Sequence, residues 1–562
     1  MQSGPPGRLC IQVEDSLFAV DKALMVENSE FFRALFRSGM RESSQERISL
    51  RGVSAAGFLL TLRVLRGERP VLGGDEVPAA AECAAFLQVE RLARFLVHSL
   101  APDNCVALYE AAALFGLAEL SRSAALYIRD RWAGRGDGPE GLSPAGRAHV
   151  RSLPPSSFVA VGAHTPASGL LDDPTRTLCY LDEGADAWKT LTRLPPGAST
   201  LLAGVATLDN KVYVVGGVRG ADKVVVEAGF CYDADADVWR EFPGPRRPRY
   251  DPALAGQDGA LYAIGGEFER TPLGSVERYD PGSGRWTRAA DLPQPAAGAP
   301  CAQALGRLFV CLWKPAEATV VYEYEARADR WRPVAALKRP QSYGHCMVAH
   351  GDALYVVRNG PFDDFLRCSI DRLSLRTLQW TALPGQFMNS KGALFTAVVR
   401  ADVVYTVNRM LTLLYSIDGG AWTLREQKAG FPRPGSLRAF LLRLPRGQGT
   451  DPRGSPDGEE GPLLPDVSIF NRETPDDIML APRSDVGDGL CNNNVCNSGG
   501  LPEYDSDACD SGVGITEEGR VTMLRPASGS EVHWPSGPPV ARAKDGPRQG
   551  FLMRSELPEA SV

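Results

Sequence analysis

At 562 residues the chain is too long for one hydrophobic core, and a formal net charge of -7 spread over a mixed composition calls for several domains. No basic segment followed by an apolar stretch opens the chain and no run of 18 apolar residues occurs, which argues against a signal peptide and a transmembrane helix. The 12 cysteines are scattered, several of them in strand-like runs (Cys179, Cys231, Cys346), so free thiols in a reducing compartment, cytoplasm or nucleus, are expected, with the cytoplasm preferred.

The N-terminal third predicts an α+β domain. Leu9, Ile11 and Val13 alternate, Asp15-Ser16 supplies a turn, and Leu17-Phe18-Ala19-Val20 returns as the second arm of a hairpin. Ser29 stands where an N-cap belongs, Glu30 suits the positive end of a helix, and Phe31, Phe32, Leu35 and Phe36 form its apolar stripe. Ile48 and Leu50 mark a short strand. Ser54 precedes a helical pattern through Phe58, Leu59, Leu62 and Leu65. Further helices are expected over residues 82–96 and 105–115.

A repeat then takes over. Trp188, Trp239, Trp286, Trp331, Trp380 and Trp422 are separated by 51, 47, 45, 49 and 42 residues, a period that signals stacked or radial units. Before each tryptophan the grammar recurs. An apolar run comes first, and a second run ends in paired glycines (Val215-Gly216-Gly217, Ile264-Gly265-Gly266). A third run carries a tyrosine (Tyr232, Tyr279), and the tryptophan opens a fourth. Four short strands per unit read as four-stranded blades, with glycines where a strand end meets another backbone too closely for a side chain. The first unit lacks its leading strand, while the run Leu437-Arg438-Ala439-Phe440-Leu441-Leu442 follows the last unit as an orphan. Pairing the two gives five whole blades plus one composite blade, a six-bladed propeller without open edges. The glycine signal fades along the chain: Cys311-Leu312-Trp313, Arg358-Asn359-Gly360 and Val407-Asn408 replace the pairs, which puts local turn geometry in doubt.

From Pro445 onward, 20 Asp plus Glu stand against 10 Lys plus Arg, a net charge of -10, so the preceding residues carry about +3. This stretch is rich in Gly, Pro, Ser and Asp and has few aromatics. It cannot bury enough apolar surface to offset ordering, and a disordered acidic tail is expected.

The N-terminal motifs carry a resemblance. Ser29-Glu30-Phe31-Phe32-Arg33-Ala34-Leu35-Phe36-Arg37-Ser38-Gly39-Met40-Arg41-Glu42 is similar to the signature helix of BTB domains and its continuation. Ala84-Ala85-Phe86-Leu87-Gln88-Val89 resembles a second BTB helix, and Asp103-Asn104-Cys105 with Phe115-Gly116-Leu117 resembles the opening of the BACK segment. With the repeat, the order resembles the BTB–Kelch family. The expected organisation is a BTB domain at 8–102, a shortened helical BACK-like segment at 103–155, a six-bladed Kelch propeller at 156–445, and the tail at 446–562. Two departures stand out: Asp21-Lys22 replaces the family's His-Lys, and the BACK region is markedly short.

The resemblance implies a non-catalytic adaptor of a Cullin-3 RING ubiquitin ligase, its BTB domain contacting the cullin through Met40 and Glu42 and its propeller holding the substrate. BTB homodimerisation is implied as well. An alternative from the same family is binding or crosslinking of actin filaments. The family's substrate face lies on loops that enter first strands and follow glycine pairs, which here nominates Arg219, Arg249, Tyr250, Tyr343, His345, Asn389, Lys391 and Arg409. Arg and Tyr suit binding hot spots, and the basic excess in these loops favours a partner with an acidic segment. Catalysis finds little support. The six histidines show no HExxH or paired ligand spacing, Cys491 and Cys496 lack partner histidines for zinc, and neither a phosphate loop nor a nucleophile elbow occurs. No cofactor or metal is expected, no membrane partner, and, without a concentrated basic patch, no nucleic acid.

Overall fold

The computed structural model describes residues 8–41, 45, 47–132, 138–164, 175–220, 222–314, 318–338, 344–359, 367–383, 387–388, 396–407, 411–431, 437–444, 512–515 and 521–524. The first hairpin is β1 (Arg8–Val13) and β2 (Ser16–Asp21), with Val13 opposite Ser16. Its turn is one residue earlier than the sequence suggests, and Glu14 takes the left-handed conformation there (φ 51°). β3 (Arg47–Leu50) runs parallel to β1, giving the order β2-β1-β3. Helix α1 (Lys22–Asn28) begins at Asp21, whose carboxylate accepts from the Ala23 N–H at 2.8 Å, so the aspartate that departs from the family pattern serves as a helix cap. Ser29 caps α2 (Glu30–Arg37) and Ser54 caps α3 (Ala55–Leu65), each hydroxyl accepting a backbone N–H of the first turn.

One expectation fails in this domain. Residues 82–96 form two helices, α4 (Val77–Phe86) and α5 (Glu90–His98), rather than one. Between them Gln88 adopts φ 50°, and the carbonyls of Leu87 and Gln88 accept from the Ser29 hydroxyl and the Glu30 N–H of α2. The chain leaves the helix because buried Leu87 and Val89 must both enter the core shared with Ile11, Met25, Phe32 and Phe58. α6 (Cys105–Phe115) ends on left-handed Gly116, and two helices not singled out in the sequence follow, α7 (Ala118–Arg131) and α8 (Pro144–Ser152). They bury Tyr109, Ala124, Ile128, Leu142 and Val150 together.

The strand-rich half contains six main sheets among the described residues. The second comprises Gly204–Leu208, Lys211–Val215, Ala228–Asp233 and Val238–Pro243. The third comprises Ala253–Gln257, Ala260–Ile264, Val276–Asp280 and Arg285–Ala289. The fourth comprises Cys301–Ala304, Arg307–Lys314, Ala318–Glu325 and Arg330–Leu337. The fifth comprises Gly344–His350, Ala353–Asn359, Arg367–Ser374 and Trp380–Ala382, with Phe387–Met388 added to its third strand. The sixth comprises Thr396–Arg400, Val403–Val407, Leu411–Asp418 and Ala421–Ala429. The first sheet joins both ends of the repeat: Arg438–Arg443 pairs with Ser156–His164, followed by Thr175–Asp182 and Ala187–Arg193. First strands of successive sheets adjoin one another, from Gly204–Leu208 through to Arg438–Arg443, which returns to Gly204–Leu208.

The repeat grammar has a structural cause. Tyr232 and Trp239, Tyr279 and Trp286, and Tyr324 and Trp331 are directly opposed on neighbouring strands, with ring centroids 5.1–5.3 Å apart. Indole N–H groups then reach the preceding sheet or the segment just after it. Trp286 donates to Pro243 O at 2.6 Å, Trp331 to Ala290 O at 2.9 Å, and Trp188 of the first sheet to Ala429 O of the sixth at 3.0 Å. The glycine pairs occupy left-handed conformations against backbone: a Cβ on Gly216 would lie 2.2 Å from Arg249 O, and one on Gly265 2.3 Å from Ala296 O.

Antiparallel order puts the turns between first and second strands on one face, and the loops after second and fourth strands on the other. The helical half packs on the turn face. Arg69 donates to Leu305 O at 2.7 Å, and His98 Nε2 lies 3.4 Å from Asp258 Oδ1. Arg131 bonds Asp402 at 2.7 Å, with His350 Nε2 3.0 Å from the same carboxylate, and Arg443 bonds Asp130 at 2.6 Å. The contacts to the helical half fall on the first, third, fourth and sixth sheets, so more than a single linker joins the halves. Gly306 belongs to this seam, since a Cβ there would sit 2.3 Å from the His98 ring.

Among the described residues no helix is long and apolar enough to cross a membrane. The cysteines whose side chains are described are free, and burial pushes the Cys83 thiol up to about 12. The stretch 446–562, expected to lack regular structure, contains one antiparallel ribbon, Gly512–Ile515 with Val521–Leu524. Val513, Ile515, Val521 and Met523 alternate there, a local strand pattern outweighed in the sequence by the polar composition around it.

Candidate binding face

The loop face is the surface that the helical half leaves uncovered. Two small ribbons rise on it: Val218–Arg219 against Val224–Val225 after the first glycine pair, and Glu267–Phe268 against Thr271–Pro272 after the second. Arg219 is exposed on the first ribbon, beside exposed Lys223 and Val224. Exposed Arg246, Arg247 and Arg270 continue the basic character, with Asp222 and Glu269 interspersed. Tyr250 is half-buried. Its hydroxyl donates to Glu267 at 2.7 Å and accepts the Arg270 N–H at 3.2 Å, so it braces the second ribbon and presents only part of its ring.

Arg249 departs from the expectation. Its side chain has 0% exposure, and its guanidinium forms an ion pair with Glu277. It also donates to Gly265 O at 2.8 Å, Ser275 O at 3.0 Å and Arg247 O at 3.2 Å. The Glu277 carboxylate in turn accepts the N–H groups of Arg246 (2.7 Å) and Arg247 (3.2 Å). Burial draws the Arg249 pKa below the ordinary arginine value, against the opposing field of Glu277. Arg249 therefore holds the entry loop onto the glycine turn and the third strand; it cannot touch an outside partner. Glu277 was legible as a strand residue only. Its one signal is a carboxylate at an inward position, between Val276 and Tyr279, where the strand buries its neighbours.

Of the other nominated residues, Tyr343, Asn389, Lys391, Arg409 and Glu42 lie outside the described residues. His345 belongs to the strand Gly344–His350 on the same face, but its side chain also lies outside the description. Met40 follows α2 on the helical half and is 58% exposed, its N–H held by the Ser38 hydroxyl at 3.1 Å. An exposed methionine at the end of a capped helix is a ready apolar anchor for a partner.

Residues 9–104 match the BTB/POZ domain model, and residues 200–246 and 248–293 match the Kelch motif. The chain is 65% identical over 448 residues to Kelch repeat and BTB domain-containing protein 13 of Homo sapiens, which covers 80% of this chain and 97% of that protein. The chain belongs to the BTB–Kelch family. The Mus musculus protein of the same name is 61% identical over 449 residues, again 80% of this chain and 97% of the relative. Kelch-like protein 42 of Mus musculus is 30% identical over 294 residues, covering 45% of this chain and 58% of that protein. BTB–Kelch proteins are generally non-catalytic, and members are commonly Cullin-3 substrate adaptors.

Proposed function

We propose that this chain is a substrate-receptor subunit of a Cullin-3 ubiquitin ligase. Met40 and Glu42 contact the cullin, the BTB domain pairs two copies, and the six sheets act as a closed six-bladed propeller whose loop face holds the partner. The observation that carries the reading is the division of surfaces. The helical half covers the turn face, which leaves the loop face on the far side, while Met40 is exposed on the helical half. One chain thus offers two separate docking surfaces and acts by joining two proteins. The partner face uses Arg219, Tyr250, Tyr343, His345, Asn389, Lys391 and Arg409, with Arg249 assigned to the scaffold beneath them. A partner with an acidic segment suits this face, because charge-assisted bonds to Arg and Lys are strong and directional. Cytoplasmic residence accords with this role.

The test is co-purification with Cullin-3. Met40→Ala with Glu42→Ala should lower affinity about 30-fold or more, the effect of losing roughly 2 kcal/mol at a hot spot. Undiminished cullin binding by the folded double variant removes the assignment.

A further inference from the structure

The 61 basic side chains of this chain are very unevenly chosen: nine are lysine and the rest arginine. The first 188 residues contain a single lysine, Lys22, although arginine is frequent there. The distinction matters only for a chemistry that separates the two. Both carry a positive charge, yet arginine stays protonated in proteins, whereas a lysine amine can lose its proton and act as a nucleophile. Ubiquitin transfer is such a chemistry, and a receptor bound to a ligase is held close to it.

The lysines whose side chains are described divide by environment. The Lys22 ammonium is held over the Phe36 ring, 4.0 Å from its centre. Lys189 pairs with Asp182 at 2.6 Å, Lys211 with Asp233 at 2.9 Å, and Lys428 with Glu426 at 2.7 Å. A hydrogen bond to the carboxylate raises the pKa of each of these three, which disfavours the free amine. Lys223 and Lys338 differ: both are exposed, and neither has an ion-pair partner among the described residues. Lys223 lies between the strands of the first ribbon, and Lys338 follows the outer strand of the fourth sheet, so both stand on the loop face, away from the helical half.

Resting on the receptor reading above, we propose that the chain excludes ubiquitin-accepting amines from its helical half and that, among these six lysines, Lys223 and Lys338 are its own sites of ubiquitin attachment. In the step, the uncharged ε-amine attacks the carbonyl carbon of the thioester that joins ubiquitin to the cysteine of a conjugating enzyme. A C–N isopeptide bond forms, the C–S bond breaks, and the cysteine sulfur leaves with the electron pair and takes up the proton that the amine gives up.

The experiment reconstitutes the full chain with the Cullin-3–RING core, activating and conjugating enzymes and ubiquitin, and maps attachment by mass spectrometry. Occupancy at Lys223 and Lys338 should exceed that at Lys22, Lys189, Lys211 and Lys428 at least five-fold. A second pair of variants, Arg66→Lys and Arg122→Lys, places exposed amines on the helical half, where neither arginine has a carboxylate partner among the described residues. Each should become modified at least as heavily as Lys223. Equal modification of Lys22 or of the paired lysines, or no modification at the two new lysines, overturns the proposal while cullin co-purification leaves the receptor reading standing. Failure of the unaltered chain to bind Cullin-3 overturns both.

Discussion

Arg249→Ala tests whether the loop beneath the partner face is built on a buried ion pair. The substitution removes a side chain with 0% exposure and leaves Glu277, itself 6% exposed, without its cation. Breaking a buried pair from one side costs about 3–5 kcal/mol. Two backbone donors, the N–H groups of Arg246 and Arg247, still reach the carboxylate and soften the loss, so the lower end, about 3 kcal/mol, is expected here. For a body of this size that corresponds to a fall of roughly 3–6 °C in Tm. Trp286 lies on the strand paired with Glu277's strand, so its fluorescence is a suitable probe for thermal and urea unfolding. Glu277→Gln keeps acceptor capacity without the charge, and the double variant Arg249→Ala, Glu277→Gln should recover about 1–2 kcal/mol relative to the sum of the singles. Two outcomes refute the reasoning. In one, the single effects add within about 0.5 kcal/mol, the additivity of independent sites. In the other, Arg249→Ala melts like the parent.

Gly216→Ala and Gly265→Ala should each destabilise severely or prevent folding, because the new Cβ meets a carbonyl oxygen at 2.2–2.3 Å; Gly220→Ala, with positive φ but open space, should cost only about 1 kcal/mol in urea unfolding. Ending the chain after Gly435 removes the strand that pairs with Ser156–His164 and should give aggregation or a non-cooperative melt, whereas ending it after Pro445 should leave the melt unchanged. Gly306→Ala should separate the helical and strand-rich halves, read as two thermal transitions in place of one and a larger radius of gyration by small-angle scattering. The His98 bond holds the Asp258 carboxyl below the usual carboxylate range. Its contribution to the seam is therefore fully present above about pH 4 and lost as pH falls through the lowered value. Asp258→Asn should flatten that acid limb in a pH series of melts. Partner capture should weaken with Arg219→Ala plus Lys391→Ala and with rising salt, since exposed charges are screened within about 10 Å at 0.1 M; capture that survives both places recognition elsewhere.

What the sequence determined by itself was whatever is local and repeated. Tyrosine and tryptophan recur because they oppose each other across adjacent strands a few residues apart, and the glycine pairs recur because the same close approach is made at each sheet. Serines 29 and 54 announced helix starts because a cap acts within three residues. The missing first strand and the orphan run at 437–442 could be matched by count alone. Only the tertiary structure decided the rest. Residues 82–96 keep a helical period throughout, yet the chain breaks at Gln88 because the carbonyls of Leu87 and Gln88 are taken by α2, nearly 60 residues earlier. Arg249 reads like its exposed neighbours Arg246 and Arg247, since nothing within its loop reveals that Glu277 waits on another strand 28 residues on. Burial and pairing of a charge are properties of the assembled sheets, and side chains distant in sequence decide them. The same holds for the seam: Arg69, His98 and Arg131 are unremarkable surface residues until the turn face of the sheets is brought against them.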